Sequence, residues 1–230
     1  MDDLFGGETL RDRTLTRADV QALAATDSRR TLIDCDLAGV DLAALDMTGW
    51  TFERCDLRRA LLSGAGLERT VWRSCRAAFA DLVHADLTDA ILTGCDFNNA
   101  ALRRAILTSA RFTGCKLTGA DLTDARMLEA VFAETLLVSA KLPSHSFRKQ
   151  TLDKVDFSQA DLRKCDFRSA TFNACSLRDA NVTGARFEQA DLRGADLGGI
   201  RLTDAALFRG ATISREQAAG LLAELGLKLG

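Results

Sequence analysis

The sequence predicts an all-β solenoid, a coil in which each five-residue unit makes one side. Three observations carry this. From Ala85 to Ala125 the chain reads ADLTD AILTG CDFNN AALRR AILTS ARFTG CKLTG ADLTD A, and cut every five residues it falls into columns. A period of five is neither the 3.6 of a helix nor the 2 of a strand, so it marks an internal repeat. Every fifth residue from Leu32 to Leu207 is apolar, 36 positions in all, of which 31 are Leu or Phe. Two residues ahead of these centres, Ala or Cys fills 26 of the 35 positions between Cys35 and Ala205. Each unit thus offers one large and one small inward group and three outward ones. Five residues turn an α-helix through about 500°, which would smear the Leu residues around every face.

The units resemble the pentapeptide repeat family, whose loose consensus is A-(D/N)-(L/F)-(S/T)-(G/N/R). Ala120-Asp121-Leu122-Thr123-Asp124 and Ala190-Asp191-Leu192-Arg193-Gly194 fit it closely. The resemblance implies a right-handed quadrilateral β-helix with four units, or 20 residues, per coil. The cysteines agree with that period independently. Cys35, Cys55, Cys75, Cys95 and Cys115 are spaced by 20, Cys175 lies on the same series, and only Cys165 does not. Six thiols are therefore expected in one interior column.

Residues 1–29 are expected to form an N-terminal extension and helical cap. Thr16-Arg17-Ala18-Asp19 has the form of a capping box, and Val20, Leu23 and Ala24 then share a helical face. A coil end exposes backbone donors and acceptors, so a helix near 17–25 would cover it. Residues 30–209 are the β-helix, nine coils of 20. Val40, Leu45 and Trp50 put large groups in small slots, which predicts widening or bending. Ala77 empties a large slot beside Phe79, which should point outward. His145 and Gln150 occupy small slots around Pro143, where distortion without a long loop is expected. Leu128, Val131, Leu136 and Val138 fall at outward positions, either as a contact surface or as a local widening that tucks some of them in.

Residues 210–230 form a C-terminal capping or dimerisation helix. Ser214-Arg215-Glu216-Gln217 is a second capping box, Ala218, Leu221, Leu222 and Leu225 follow on one face, and Gly226 suits the C′ position. The segment, with its LGLKLG ending, resembles the dimerisation tail of the gyrase-protecting Qnr/MfpA-type branch of the family. That implies a homodimer interface at Leu221, Leu222, Leu225 and Leu227. A simple cap is the other reading.

No enzyme is expected. There are two histidines, His84 and His145, and no HExxH, CxxC or Walker sequence. Ser144-His145-Ser146 are neighbours in an extended chain and point apart, so they do not make a triad. The cysteine column reads as small-residue packing, since Ala fills the same slots elsewhere, and no metal or cofactor is expected. Seven cysteines without a pairing pattern, no signal-like N-terminus and no membrane-length apolar run point to a cytoplasmic protein.

Thirteen Asp residues sit just before a central position. Regularly spaced carboxylates on a rod can imitate duplex phosphates, and the resemblance implies a DNA mimic that binds DNA gyrase or another type II topoisomerase and confers resistance to quinolone-like poisons. Direct nucleic-acid or membrane binding is not expected. Asp156, Asp161, Asp166, Asp191 and Asp196, nearest the proposed two-fold, are the expected partner contacts. The structural alternative is that Asp here hydrogen-bonds the turns of the coil. Residues 30–209 carry 24 basic and 24 acidic groups, and no side of the coil shows a marked acidic excess. A general protein-interaction scaffold is therefore the competing function.

Overall fold

In the computed structural model the described residues are 8–26, 29–200, 205–224 and 226. They form two compact units, one within residues 1–131 and one within 132–230. Each is a right-handed parallel β-helix of square section.

In the first unit β1 (Glu8–Arg11) is followed by helix α1 (Arg17–Ala24) and then by β2 (Arg30–Ile33), β3 (Thr51–Glu53), β4 (Val71–Arg73), β5 (Ile91–Thr93) and β6 (Arg111–Thr113). The strands β1 to β6 pair in sequence order, all parallel. Strand pairing begins ahead of Arg30, because β1 pairs with β2 and Thr14 bridges Asp36. The other three sides of the coil are held by single bridges: Asp36 to Asp56, Asp41 to Leu61, Asp46 to Gly66. From β2 onward in this unit partners lie 20 residues apart, so four five-residue units close one coil.

The local cause is a tight turn repeated at nearly every corner. Ala60 N donates to Leu57 O at 3.0 Å, while Leu57 N donates to Arg76 O in the next coil at 2.6 Å. The third residue of such a turn takes positive φ, as Arg59 (59°), His84 (60°) and Asp89 (57°) do, which is the geometry of a type II turn. Large centres point inward and stack. Phe52 and Trp72 lie 4.5 Å apart, and the Trp72 indole N–H donates to the buried Thr70 hydroxyl at 2.9 Å. Fully burying such a side chain contributes roughly 1.5–3 kcal/mol.

In the second unit β7 (Val131–Ala133) pairs with β8 (Thr151–Asp153), β8 with β9 (Thr171–Asn173), and β10 (Cys175–Ser176) with β11 (Ala195–Asp196). Phe147, Phe167 and Phe187 stack at 5.0 Å intervals with nearly parallel rings. The column is continued by Phe208, whose ring lies 4.8 Å from Phe187. This corrects the expectation that Leu207 is the last centre. Asp191 bridges Thr212, 21 residues on, so the last coil carries one extra residue and Phe208 moves into the column. Leu202, the preceding expected centre, lies outside the described residues.

Both helices close a coil end. In α1 the Thr16 side chain accepts from Asp19 N, and the Asp19 carboxylate accepts from Thr16 N, the expected capping box. Arg17 reaches back to donate to Asp41 O (2.9 Å) and Ala43 O (3.1 Å), edge carbonyls with no coil beneath them. At the other end, after a 3₁₀ turn at Ala205–Phe208, α2 (Arg215–Glu224) begins with Ser214 and Gln217 bonded reciprocally. The Gln217 amide then donates to Leu192 O (2.7 Å) and Ala195 O (2.6 Å). It takes the place of the backbone N–H that a further coil would supply. Gly226 (φ 78°) stops α2, its N–H bonded to Ala223 O.

At neither of the two places where distortion is expected is the turn hydrogen bonding broken. Pro143 stands second in a turn whose third residue, Ser144, has φ 65°, and proline's fixed φ suits that place. Where an Asp precedes the centre, the corresponding N–H bonds it, as Thr88 N bonds Asp86; here that residue is Lys141, so proline forfeits nothing. Ser144 N still reaches Arg163 O at 2.7 Å, and His145 is buried in its small slot. Around Val40, Leu45 and Trp50 the turn bonds persist at 3.1–3.2 Å, with Trp50 buried and the other two half-buried. They lie in the first full coil, which no complete coil precedes. Phe79 points outward as expected, 56% exposed under the Arg59 guanidinium.

Candidate functional site

The five carboxylates expected to contact a partner share one local job. Each accepts a hydrogen bond from the backbone N–H two residues on: Asp156 from Ser158 (2.9 Å), Asp161 from Arg163 (3.3 Å), Asp166 from Arg168 (3.1 Å), Asp191 from Arg193 (3.2 Å) and Asp196 from Gly198 (2.9 Å). The same bond recurs at Asp36, Asp41, Asp46, Asp81, Asp86 and Asp96. Asp before the centre is a turn-closing residue first, which explains its frequency without any partner.

The structure does not gather the five on one side of the coil. Asp156 and Asp196 share a side through the column Asp156–Ser176–Asp196, while Asp161, Asp166 and Asp191 occupy the other three. Four of the five are also neutralised. Asp161 pairs with Arg163 (2.7 Å), Asp166 with Arg168 (2.5 Å), Asp191 with Arg193 (2.6 Å) and Asp196 with Arg178 (2.9 Å). Hydrogen bonds from their arginines hold Asp161, Asp166 and Asp191 below the usual carboxylate range. Asp156, bonded instead by the Ser158 hydroxyl, has no arginine among the described residues.

Carboxylates without a cation concentrate elsewhere, on two adjacent sides of the first unit. One follows the column Asp41–Leu61–Asp81–Ala101–Asp121, the next the column Asp46–Gly66–Asp86–Ile106–Arg126. Including the turn residues, these sides carry nine carboxylates against four arginines. Arg17 takes Asp41, Arg69 takes Glu68 and Arg103 takes Asp121. Asp46, Asp81, Asp86, Asp89, Asp124 and Glu129 form no ion pair among the described residues. Asp46 is held below the usual range by the Thr48 hydroxyl and backbone N–H.

The corresponding sides of the second unit, along Lys141–Asp161–Asn181 and Ser146–Asp166–Arg186, are the opposite. Up to residue 189 they carry seven cations against three carboxylates. Summed over the whole repeat the two signs cancel, which is why sorting the sequence by side shows no excess. The signal was in the sequence, but only when the sides are read separately within each unit.

The cysteines are all buried thiols. Cys55, Cys75 and Cys115 donate to the carbonyls of Leu32, Phe52 and Leu92 at 3.3 Å, so they pack and tie coils together. Burial pushes Cys165 up to about 12. No group of three or more His, Cys, Asp or Glu among the described residues is arranged to hold a metal. No described helix is long and apolar enough to cross a membrane. Of the expected dimer residues, Leu221 and Leu222 are half-buried on α2, and Leu225 and Leu227 lie outside the described residues. Leu128 is exposed in the first unit, with Val131 half-buried; Leu136 is exposed in the second, with Val138 half-buried.

A parallel β-helix of five-residue units, its turns closed by Asp and its interior stacked with Leu, Phe, Ala and Cys, defines a class of repeat protein. The model of the pentapeptide repeats matches eight copies across residues 35–71, 80–119, 115–149, 130–168, 146–179 and 170–207, and the chain belongs to that family. Among solved structures it resembles a trypsin-treated variant of QnrB1, a plasmid-mediated fluoroquinolone resistance protein. The TM-score is 0.53 at 17% identity, covering 98% of this chain and 100% of that one. It also resembles HetL, a pentapeptide repeat protein involved in heterocyst differentiation regulation from the cyanobacterium Nostoc sp. strain PCC 7120. There the TM-score is 0.49 at 23% identity, covering 86% of this chain and 94% of that one. At these identities the likeness is one of fold. No curated protein matches.

Proposed function

We propose that the protein is a non-enzymatic binding module that occupies the DNA site of a type II topoisomerase such as DNA gyrase, and so confers resistance to quinolone-like poisons. The observation that carries this reading is the block of unpaired carboxylates on two adjacent sides of the first unit. Asp81, Asp86 and Asp124 stand on a rigid lattice with about 4.8 Å between coils and would face a groove evolved for phosphates. Asp156 is the one carboxylate of the second unit's expected set that an arginine leaves open. α2 would join two copies through Leu221 and Leu222, with Leu225 and Leu227 extending the contact. The resemblance in fold to QnrB1, a fluoroquinolone resistance protein, agrees with this reading.

The test is a gyrase supercoiling assay with purified protein, with and without a fluoroquinolone. The expected result is inhibition of supercoiling or of poison-induced cleavage, weakening steeply with salt. Asp81→Asn, Asp86→Asn and Asp124→Asn together keep the turn acceptor, remove the charge and should abolish the effect. No effect of the unaltered protein at micromolar concentration leaves a scaffold for another partner, which the cation-rich sides of the second unit favour.

A further inference from the structure

By the 20-residue register, the sides that are acidic in the first unit correspond to sides that are basic in the second. Besides Lys141, the cations divide into two groups. Arg163, Arg168 and Arg186 are held by Asp161, Asp166 and Glu188 at 2.5–2.7 Å. Arg148, Lys149 and Lys164 form no ion pair among the described residues. Lys149 and Lys164 both have φ 60°, the third residue of the turn, which carries the side chain off the corner. Asp89 (57°), Asp124 (59°) and Glu129 (58°) hold the same turn position on the acidic sides of the first unit. Unpaired charges of both signs therefore recur at the same position of the turn on these two kinds of side, anions in the first unit and cations in the second.

We infer that this surface binds a second copy of the chain, the basic sides of the second unit in one copy lying against the acidic sides of the first unit in the other. Charge complementarity identifies the occupant, because each surface carries an excess of the sign the other lacks. Exposed ion pairs are individually weak, and their sum gives specificity and salt dependence more than affinity. The complex is accordingly a loose one that assembles at low ionic strength and comes apart at high. It does not rest on the topoisomerase reading, although it uses the same acidic sides, and it involves no residue of α2.

The test is sedimentation velocity of the full chain over a concentration series at about 20 mM and 500 mM salt. Self-association should weaken at least tenfold between the two. Lys149→Glu with Lys164→Glu should abolish the salt-sensitive step, as should Asp89→Lys with Asp124→Lys. These outward changes leave the interior untouched, and circular dichroism of each variant checks that the coils are intact. Mixing the two variants should restore association, because the reversed charges match again. A protein that stays monomeric at low salt overturns the inference. So does association indifferent to salt and to both charge reversals, which would place the contact at α2. Retention of a duplex DNA probe lost in Lys149→Glu with Lys164→Glu, without self-association, would replace the copy by nucleic acid.

Discussion

Phe167→Ala should be among the most damaging single substitutions in the second unit, and its size follows from the stack around it. Phe167 has no exposed surface. It lies between Phe147 and Phe187, each 5.0 Å away with planes 4° and 10° from parallel, while Phe157 meets it edge-on at 6.2 Å and Phe172 lies tilted at 5.5 Å. Truncating a buried Phe to Ala costs about 3–5 kcal/mol, depending on how far the site can collapse. Here collapse is opposed by the backbone ladder, since Phe167 N bonds Arg186 O at 2.7 Å and Ala170 N bonds Phe167 O at 3.0 Å. Two stacked partners, each worth about 0.5–1.5 kcal/mol beyond area, push the value to the upper end, about 5 kcal/mol. Coils interact only with their neighbours, so the loss should be local. Hydrogen exchange should show amides of the coils around Phe147, Phe167 and Phe187 losing between about three and four orders of magnitude of protection. Phe79→Ala is the matched control, since that ring is 56% exposed and loses only its contact with Arg59. It should cost about 1 kcal/mol or less. Equal effects of the two changes in urea unfolding would refute the inward stack.

Other expectations can be checked with the same measurements. Leu122→Asp buries an unpaired charge and should cost several kcal/mol, while Thr123→Asp one residue on should be nearly silent in thermal melts. Gln217→Leu removes both donors to Leu192 O and Ala195 O and should expose the last coil to exchange, with about 1–3 kcal/mol lost locally. Gly194→Ala would bring a Cβ to 2.3 Å from the Phe172 carbonyl and should lower the melting midpoint, because that backbone cannot yield. The carboxyls of Asp161, Asp166 and Asp191 are held low in the folded state, so their contribution is full above the unfolded carboxylate pKa near 4. It is lost as pH falls through their lower folded values, and a midpoint unchanged between pH 6 and pH 2 would contradict the Arg–Asp pairing.

The repeat was legible because its physics is local and repeated. A five-residue side needs one large and one small inward group, and one misread unit does not disturb its neighbours. The helix starts were equally plain, since Thr16/Asp19 and Ser214/Gln217 carry their own capping chemistry. Two other features were not legible. Leu207 and Phe208 are both good centres, and only the loss of a following coil lets the chain spend an extra residue and seat Phe208 instead. The expected contacts, Asp156 to Asp196, follow from sequence proximity to the tail. Their pairing with arginines, and their spread over four sides, depend on a folding of the period that a linear count does not show.

The coil runs on two clocks. Its interior repeats every five residues, because any Leu or Phe centre with its small neighbour can make any side, but its surface repeats every 20, the step between bridged partners such as Asp41, Leu61 and Asp81. A deletion of five residues inside the first unit would therefore leave the packing grammar whole while rotating everything after it by a quarter turn. Residues of one side would arrive on the next, and an acidic strip would be spliced onto a different neighbour. A deletion of 20 would only shorten the strip. Indels in multiples of five are thus a way to reshuffle surface chemistry without re-evolving a core, a freedom that a globular fold, whose inside and outside share one pattern, does not have.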